Sequence, residues 1–166
     1  ALLAFHDGGI RACASIDGGM CYTYALLGET LGRAEAKLKA AYLQLTQRPA
    51  KSMPLDSQFY NSHAVSNAYH FQWKQLDHYD FASLPLILKS ARPKDYKPSA
   101  QEIELLGANP TPYDVRSHLY KQMVRIIHLF FDAYLRDSIE SESALQTLIE
   151  SKLPEYDEMF SIRTGK

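Results

Sequence analysis

The sequence has little cysteine, no long apolar run and no dominant charge. Cys13 and Cys21 are too few for a disulfide framework, and neither lies in a Cys-x-x-Cys or Cys/His spacing typical of zinc sites. No run of about 18 apolar residues is available for a membrane-spanning helix. The 18 basic and 19 acidic residues are spread along the chain and leave a net charge of −1, which argues against a nucleic-acid-binding surface.

The composition is that of one folded domain. The chain has 166 residues, of which 46% are hydrophobic and 11% aromatic, enough to form a core. It contains no internal repeat or low-complexity segment. We therefore expect residues 1–166 to form a single domain.

The first strand that the sequence predicts ends on an acidic residue. The stretch "IRACASID", residues 10–17, is short and mostly apolar, which predicts a strand buried on both faces, with Asp17 at its carboxyl end. Gly18 and Gly19 then allow a sharp turn. The preceding "ALLAFHDGG" starts without methionine and is typical of the last turns of a helix, so we expect the amino-terminal part of the fold to be missing.

The rest of the chain alternates helix and strand patterns. Residues 29–47 place Leu31, Leu38, Tyr42 and Leu45 on one stripe and predict a surface helix. A weak strand is predicted at 53–55 and a half-buried strand at 69–76, where aromatic and polar residues alternate and Phe71 and Trp73 are assigned to the core. A long helix follows from near Thr111, with apolar residues on one stripe; these are Val115, Leu119, Met123, Ile126, Phe130 and Tyr134. The end, from residue 143 on, predicts a short helix and a loosely held tail.

This order predicts an α/β fold with a mostly parallel sheet flanked by helices. In such sheets ligands bind beyond the carboxyl ends of the strands, and Asp17 and His78 both follow predicted strands. A carboxylate beside an imidazole is the acid and base pair of a nucleophilic triad. No serine of the chain stands in a Gly-x-Ser-x-Gly context, and Cys13 lies inside a predicted strand, so the nucleophile is not in this sequence. Asp80 is close enough to His78 to support its loop.

Three stretches resemble α/β-hydrolases related to the platelet-activating factor acetylhydrolases. "ALLAFHDGGIRACASIDGGM" is similar to the segment after the nucleophile elbow, "LDHYDFASLPLI" to the histidine loop, and "IIHLFFDAYLRDS" to the closing helix. The resemblance covers most of residues 1–136 and implies that Asp17 is the triad acid and His78 the base. Asp56 is the rival acid, since many α/β-hydrolases carry the acid one strand later. Residues 48–60 lack the apolar strand that the resemblance implies between Asp17 and His78.

The resemblance implies the carboxyl-terminal part of a serine hydrolase of the esterase or lipase type, which needs no cofactor or metal. The nucleophile and the oxyanion-hole loop are then expected upstream of Ala1, so this chain alone is expected to be inactive, with its missing segment or a companion chain as partner and a small ester as substrate. An alternative is a binding or assembly module that keeps this architecture without the nucleophile. Metal-dependent hydrolysis by Asp17, His78 and Asp80 is not favoured, because no compact ligand spacing such as His-Glu-x-x-His is present.

Overall fold

The computed structural model describes residues 9–16, 38–47, 66–76, 81 and 113–162. These residues form a four-stranded sheet in the order β1-β2-β3-β4, with two helices between β3 and β4 in the chain. The elements are β1 (Ala12–Ile16), β2 (Ala41–Thr46), β3 (Ala68–Trp73), α1 (Tyr113–Leu135), α2 (Ile139–Glu150) and β4 (Tyr156–Ile162). The prediction of an α/β fold with a mostly parallel sheet is confirmed at this level.

The three first strands run parallel, and β4 runs antiparallel to β3. Strand β1 forms where the small apolar run predicted it, but of its five residues only Ser15 is buried, and Ile16 is 45% exposed. The reason is its place at one edge of the sheet, where it has β2 as its only neighbour among the described strands. The predicted helix end at residues 1–8 lies outside the described residues.

The prediction of a helix over residues 29–47 is wrong in the part that the structure describes. Ala41–Thr46 is strand β2, which pairs with β1 on one side and β3 on the other and is buried along its whole length. Leu38, Tyr42 and Leu45 have helical spacing, yet alternate residues of the same segment also divide into two faces. Alanine, leucine and glutamine favour helix locally, but pairing with two neighbouring strands overrides that weak preference. The strand expected between Asp17 and His78 therefore exists, upstream of residues 48–60.

Strand β3 forms where the alternation predicted it, but it is buried on both faces. Tyr69, Phe71 and Trp73 are fully buried, and so is His70 on the opposite face. Because β3 pairs with a strand on each side and is buried on both faces, it has no solvent side, whatever the polarity of its side chains. The half-buried interpretation is thus corrected, whereas the assignment of Phe71 and Trp73 to the core is confirmed.

Helix α1 is the long helix that the apolar stripe predicted. Leu119, Met123, Ile126 and Phe130 are buried against one face of β2 and β3, and Asp114 lies in the first turn, where an acidic side chain is stabilised by the helix dipole. The predicted cap Thr111 lies outside the described residues. Helix α1 therefore covers the sheet up to the end of β3. The candidate site comes after this strand in the chain.

Helix α2 is confirmed, but the predicted loose tail after it is wrong. Ser138 caps α2 by accepting a hydrogen bond from the Ser141 backbone N–H at 3.2 Å. Tyr156–Ile162 then forms β4 along the open edge of β3, from Ala68↔Ile162 to Gln72↔Glu158. Asp157 and Glu158 are poor strand formers, so the sequence does not predict β4. The strand forms because the otherwise unpaired edge of β3 supplies its hydrogen bonds.

Candidate functional site

The candidate site lies at the sheet edge formed by the carboxyl ends of the three parallel strands β1, β2 and β3. Register places Ile16 level with Leu45 and Leu45 level with Phe71, so the three strands end together. Two strand spacings separate β1 from β3, a distance of about 10 Å. Asp17 directly follows Ile16 in the chain, and His78 follows Trp73 by five residues.

The four residues predicted for the site are Asp17, Asp56, His78 and Asp80, and all of them lie outside the described residues. What the structure describes is the chain on either side of them. Strand β1 runs up to residue 16, and β3 with its extension runs up to residue 76. The assignment of catalytic roles to these four residues therefore remains a prediction.

The described residues on either side of His78 in the chain are Leu76, which is buried, and Phe81, which is partly buried. Leu76 is 1% exposed, and the ring of Phe81 contacts the ring of Trp73 edge-on, with centroids 5.7 Å apart. Phe81 was not among the residues that sequence reasoning selected, since nothing in the sequence indicates that it returns to Trp73.

A polar group of side chains lies beside the end of β3. The amide nitrogen of Gln122 on α1 contacts Nε2 of His118 at 2.8 Å and donates to Oε1 of Glu155 at 3.3 Å, and the hydroxyl of Tyr156 donates to Oε1 of Gln122 at 3.1 Å. Burial raises the pKa of Tyr156 well above its usual range, so this hydroxyl stays protonated and acts as a donor. The sequence does not indicate that His118 and Glu155 belong to one group, because they are far apart in the chain.

A cavity of about 440 Å³ opens beside this group, lined by Gln75, Asp114, Val115, His118, Leu119, Pro154 and Glu155. Gln75 lies just beyond β3, so the cavity is at the same sheet edge as the candidate site. His78 is the third residue after Gln75 in the chain, which limits the distance between their Cα atoms to about 11 Å. The cavity is therefore within reach of the predicted base.

Two other reactive groups are placed where they cannot act as catalysts. Cys13 lies within β1, and burial raises the pKa of its thiol, which disfavours the thiolate. His70 is fully buried in the middle of β3, with its Nε2 atom 3.5 Å from Thr46 Oγ1. Desolvation lowers the pKa of His70 to about 3, so its imidazole is neutral.

Within the described residues, no group of three or more His, Cys, Asp and Glu side chains is arranged to hold a metal ion. Nor does either helix of that part of the chain have the length and apolarity needed to cross a membrane. No family model, curated protein or solved structure matches this chain.

Proposed function

We propose that this chain contributes the acid and the base of a serine hydrolase that cleaves carboxylic esters. In this proposal His78 takes the proton of a serine hydroxyl as the serine attacks the ester carbonyl, and then gives the proton to the leaving alcohol. Asp17 orients the imidazole of His78 and stabilises its charged form. The serine comes from a segment that precedes residue 1.

The observation that supports this proposal is the parallel alignment of β1 and β3 on the two sides of β2. Because parallel strands end on the same side of a sheet, the chain leaves β1 before Asp17 and leaves β3 before His78 on that same side, with β2 between the two strands. Had β3 run antiparallel to β1, the two residues would follow opposite edges. The cavity beside Gln75 offers space for part of an ester at that edge.

The placement of the described serines agrees with a nucleophile from outside the chain. They lie inside β1, before β3, along α1, around both ends of α2 and within β4, at Ser15, Ser66, Ser117, Ser138, Ser141, Ser143, Ser151 and Ser161. None of these described serines directly follows the end of a parallel strand, which is where a nucleophile elbow stands.

The first test is covalent labelling of the full-length natural protein with a fluorophosphonate, which reacts with activated serines. We expect one adduct, upstream of Ala1. His78→Ala should reduce the labelling rate by about 10⁴-fold or more, because the serine loses its base. His128→Ala is the matched control, since His128 is exposed on α1, and it should label like the wild type.

The same assay separates the two candidate acids. Asp17→Asn should slow labelling by about 10³- to 10⁴-fold, because the imidazole loses its orienting carboxylate, whereas Asp56→Asn should change the rate by less than about threefold. The opposite ranking would transfer the acid role to Asp56. A folded full-length protein that takes up no probe would overturn the hydrolase and favour the binding module.

A further inference from the structure

Strand β4 has an open side. It pairs with β3 on one side and has no strand beside it on the other among the described residues; we call this other side the outer edge. The first half of β4 is protected as edge strands usually are, by the charged side chains of Asp157 and Glu158 and by a register shift that leaves Asp157 opposite no residue of β3. Residues 159–162 have neither a charge nor a proline. This half of the outer edge is therefore suited to pairing with another strand.

The backbone groups that face the outer edge follow from the hydrogen bonds of β3. The carbonyl of Asn67 accepts a hydrogen bond from β2 at 2.9 Å, and because successive residues of a strand face alternate neighbours, His70 faces β4. His70 is opposite Phe160, so the backbone groups of Phe160 face β3. The N–H and C=O groups of Met159 and Ser161 therefore point outward, away from β3.

A cavity of about 560 Å³ lies beside these outward groups, bounded by the end of α2 and by residues 156–161 of β4. The Oγ atom of Ser161 donates to Oε1 of Gln146 on α2 at 3.1 Å, so the side of β4 that carries the Ser161 side chain faces α2. Ile149 and Leu153 are partly buried and give the cavity apolar walls. Every second side chain of a strand added at the outer edge would lie on the side of this cavity.

The cavity is acidic. Glu150, Asp157 and Glu158 line it, and none of these carboxylates forms an ion pair within the described part of the chain. Glu150 ends α2, whose last turn contains no basic residue, so it lies at the negative end of the helix dipole. Residues 138–162 contain six acids and one base, Lys152, whereas the whole chain has 19 acids and 18 bases. Positive charge beside the outer edge is therefore favoured.

A second copy of the chain does not suit this edge. Antiparallel pairing of two β4 strands would put both α2 helices on the same face of the joined sheet. Each copy would bring five more acids than bases within residues 138–162 to the interface. Like charges placed together across an interface oppose association. The charge of this region instead complements a basic partner.

We propose that the outer edge of β4 is a docking site for an extended segment of another protein, in which apolar residues alternate with lysine or arginine. The segment pairs antiparallel to β4 by hydrogen bonds to the backbone of Met159 and Ser161. Its apolar side chains lie against Ile149 and Leu153, and its cations lie near the carboxylates of the cavity. No residue of this site belongs to the proposed triad.

The first test uses the full-length natural protein and a fluorescent hexapeptide in which lysine and valine alternate. Anisotropy should show binding with a Kd below about 1 mM, and a peptide with glutamate in place of each lysine should bind at least about tenfold more weakly. No binding of the lysine–valine peptide at that concentration, or equal binding of both peptides, would overturn the proposal.

Two further peptides separate strand pairing from charge attraction. In antiparallel pairing the residues opposite Met159 and Ser161 share their face, so the valines have their side chains at the cavity and their N–H groups toward β4. N-methylation of the valines removes these donors and should weaken binding by about tenfold or more, whereas N-methylation of the lysines should change the Kd by less than about threefold. Equal weakening by both would contradict strand addition.

Variants of β4 and α2 test the same contacts from the protein side. Ser161→Pro removes an outward N–H without removing a bond to β3, a position where edge strands tolerate proline, and should weaken binding of the lysine–valine peptide by about tenfold. Ser161→Ala keeps that N–H and should bind within about threefold of wild type. Glu150→Gln should weaken binding by about threefold at low salt, and the matched control Glu140→Gln, at the other end of α2, should leave it unchanged.

Amide hydrogen exchange in the wild type decides the question if Ser161→Pro does not fold. With the lysine–valine peptide in excess, the N–H groups of Met159 and Ser161 should exchange about tenfold more slowly, whereas that of Phe160, which faces β3, should change by less than about twofold. Unchanged exchange at Met159 and Ser161 would overturn the docking site. So would a dimer of the protein that excludes the peptide, since the edge would then serve a second copy.

Discussion

The two faces of the sheet are equally buried but have opposite chemistry. One face of β2 and β3 is apolar and packs against α1; it consists of Ala41, Leu43, Leu45, Tyr69, Phe71 and Trp73. The other face is mostly polar and is no more than 5% exposed; it consists of Tyr42, Gln44, Thr46, Ala68, His70 and Gln72. We call these the helix face and the polar face.

The difference shows that the two faces hold the fold together by different interactions. On the helix face, removal of apolar surface from water is favourable at about 25 cal/mol per Å². On the polar face each buried donor or acceptor costs free energy unless it is bonded. Accordingly Gln44 accepts from the Tyr42 hydroxyl and donates to the Leu45 carbonyl at 3.2 Å, and His70 stacks on Phe160 with centroids 4.9 Å apart.

The largest effect is expected on the helix face. Phe130→Ala should lower the free energy of unfolding by about 3–5 kcal/mol, because Phe130 is fully buried and its removal leaves a cavity between α1 and the sheet. Urea denaturation followed by circular dichroism measures the change. Phe131→Ala, one residue along and only partly buried, should cost less than half as much; equal losses would show that the helix face is not where α1 derives its stability.

An intermediate effect is expected on the polar face, from pH. The pKa of His70 is lowered by desolvation to about 3 in the folded state, against 6.5 for the exposed side chain. Below pH 6.5 the unfolded chain binds a proton that the folded protein does not, so stability is present above pH 6.5 and is lost as the pH falls toward 3. Between pH 6 and pH 4 this loss is about 2 kcal/mol.

The measurement is urea denaturation at both pH values, in wild type and in His70→Gln. The variant lacks the titrating group, so its loss between pH 6 and pH 4 should be smaller than that of wild type by about 2 kcal/mol. His128→Ala, which removes an exposed histidine, should keep the wild-type loss. A pH dependence that His70→Gln does not change would mean that the His70 pKa is not lowered.

The smallest effect is expected from one hydroxyl on the polar face. Thr46→Val keeps the shape of a fully buried side chain but removes the group 3.5 Å from His70 Nε2, and should cost about 1 kcal/mol of unfolding free energy. Thr147→Val, on the exposed side of α2, should change stability by less than about 0.5 kcal/mol. If Thr46→Val and Thr147→Val change the unfolding free energy equally, the Thr46 hydroxyl contributes no more to stability than an exposed hydroxyl does.

The elements of the fold differ in how well the sequence predicts them. Helix α1 was predicted because its apolar stripe repeats over several turns and no strand pattern competes with it. Strand β2 was missed because its short apolar segment fits both periods, and β4 was missed because its acidic residues disguise a strand that only an open edge stabilises. The candidate acid Asp17 and the candidate base His78 were chosen from sequence motifs. The sheet topology adds that the strands before them, β1 and β3, end on the same side of the sheet.

The contacts of Trp73 show the same limit at the level of side chains. Trp73 was assigned to the core from the alternation of β3, and this is confirmed. Its ring contacts with Phe81 and Tyr156 could not be predicted, because they depend on which later parts of the chain come to lie beside β3. Periodicity predicts that a side chain is buried without identifying its neighbours.

The sequence by itself determined the two helices, the strands β1 and β3 and the α/β class, because helical hydrogen bonds are local and an apolar periodicity records which side is buried. Tertiary structure alone decided β2, β4, the burial of the polar face and the common edge at which β1 and β3 end. A strand finds its hydrogen-bond partners far away in the chain, so the same residues become strand, helix or tail according to which neighbour is beside them.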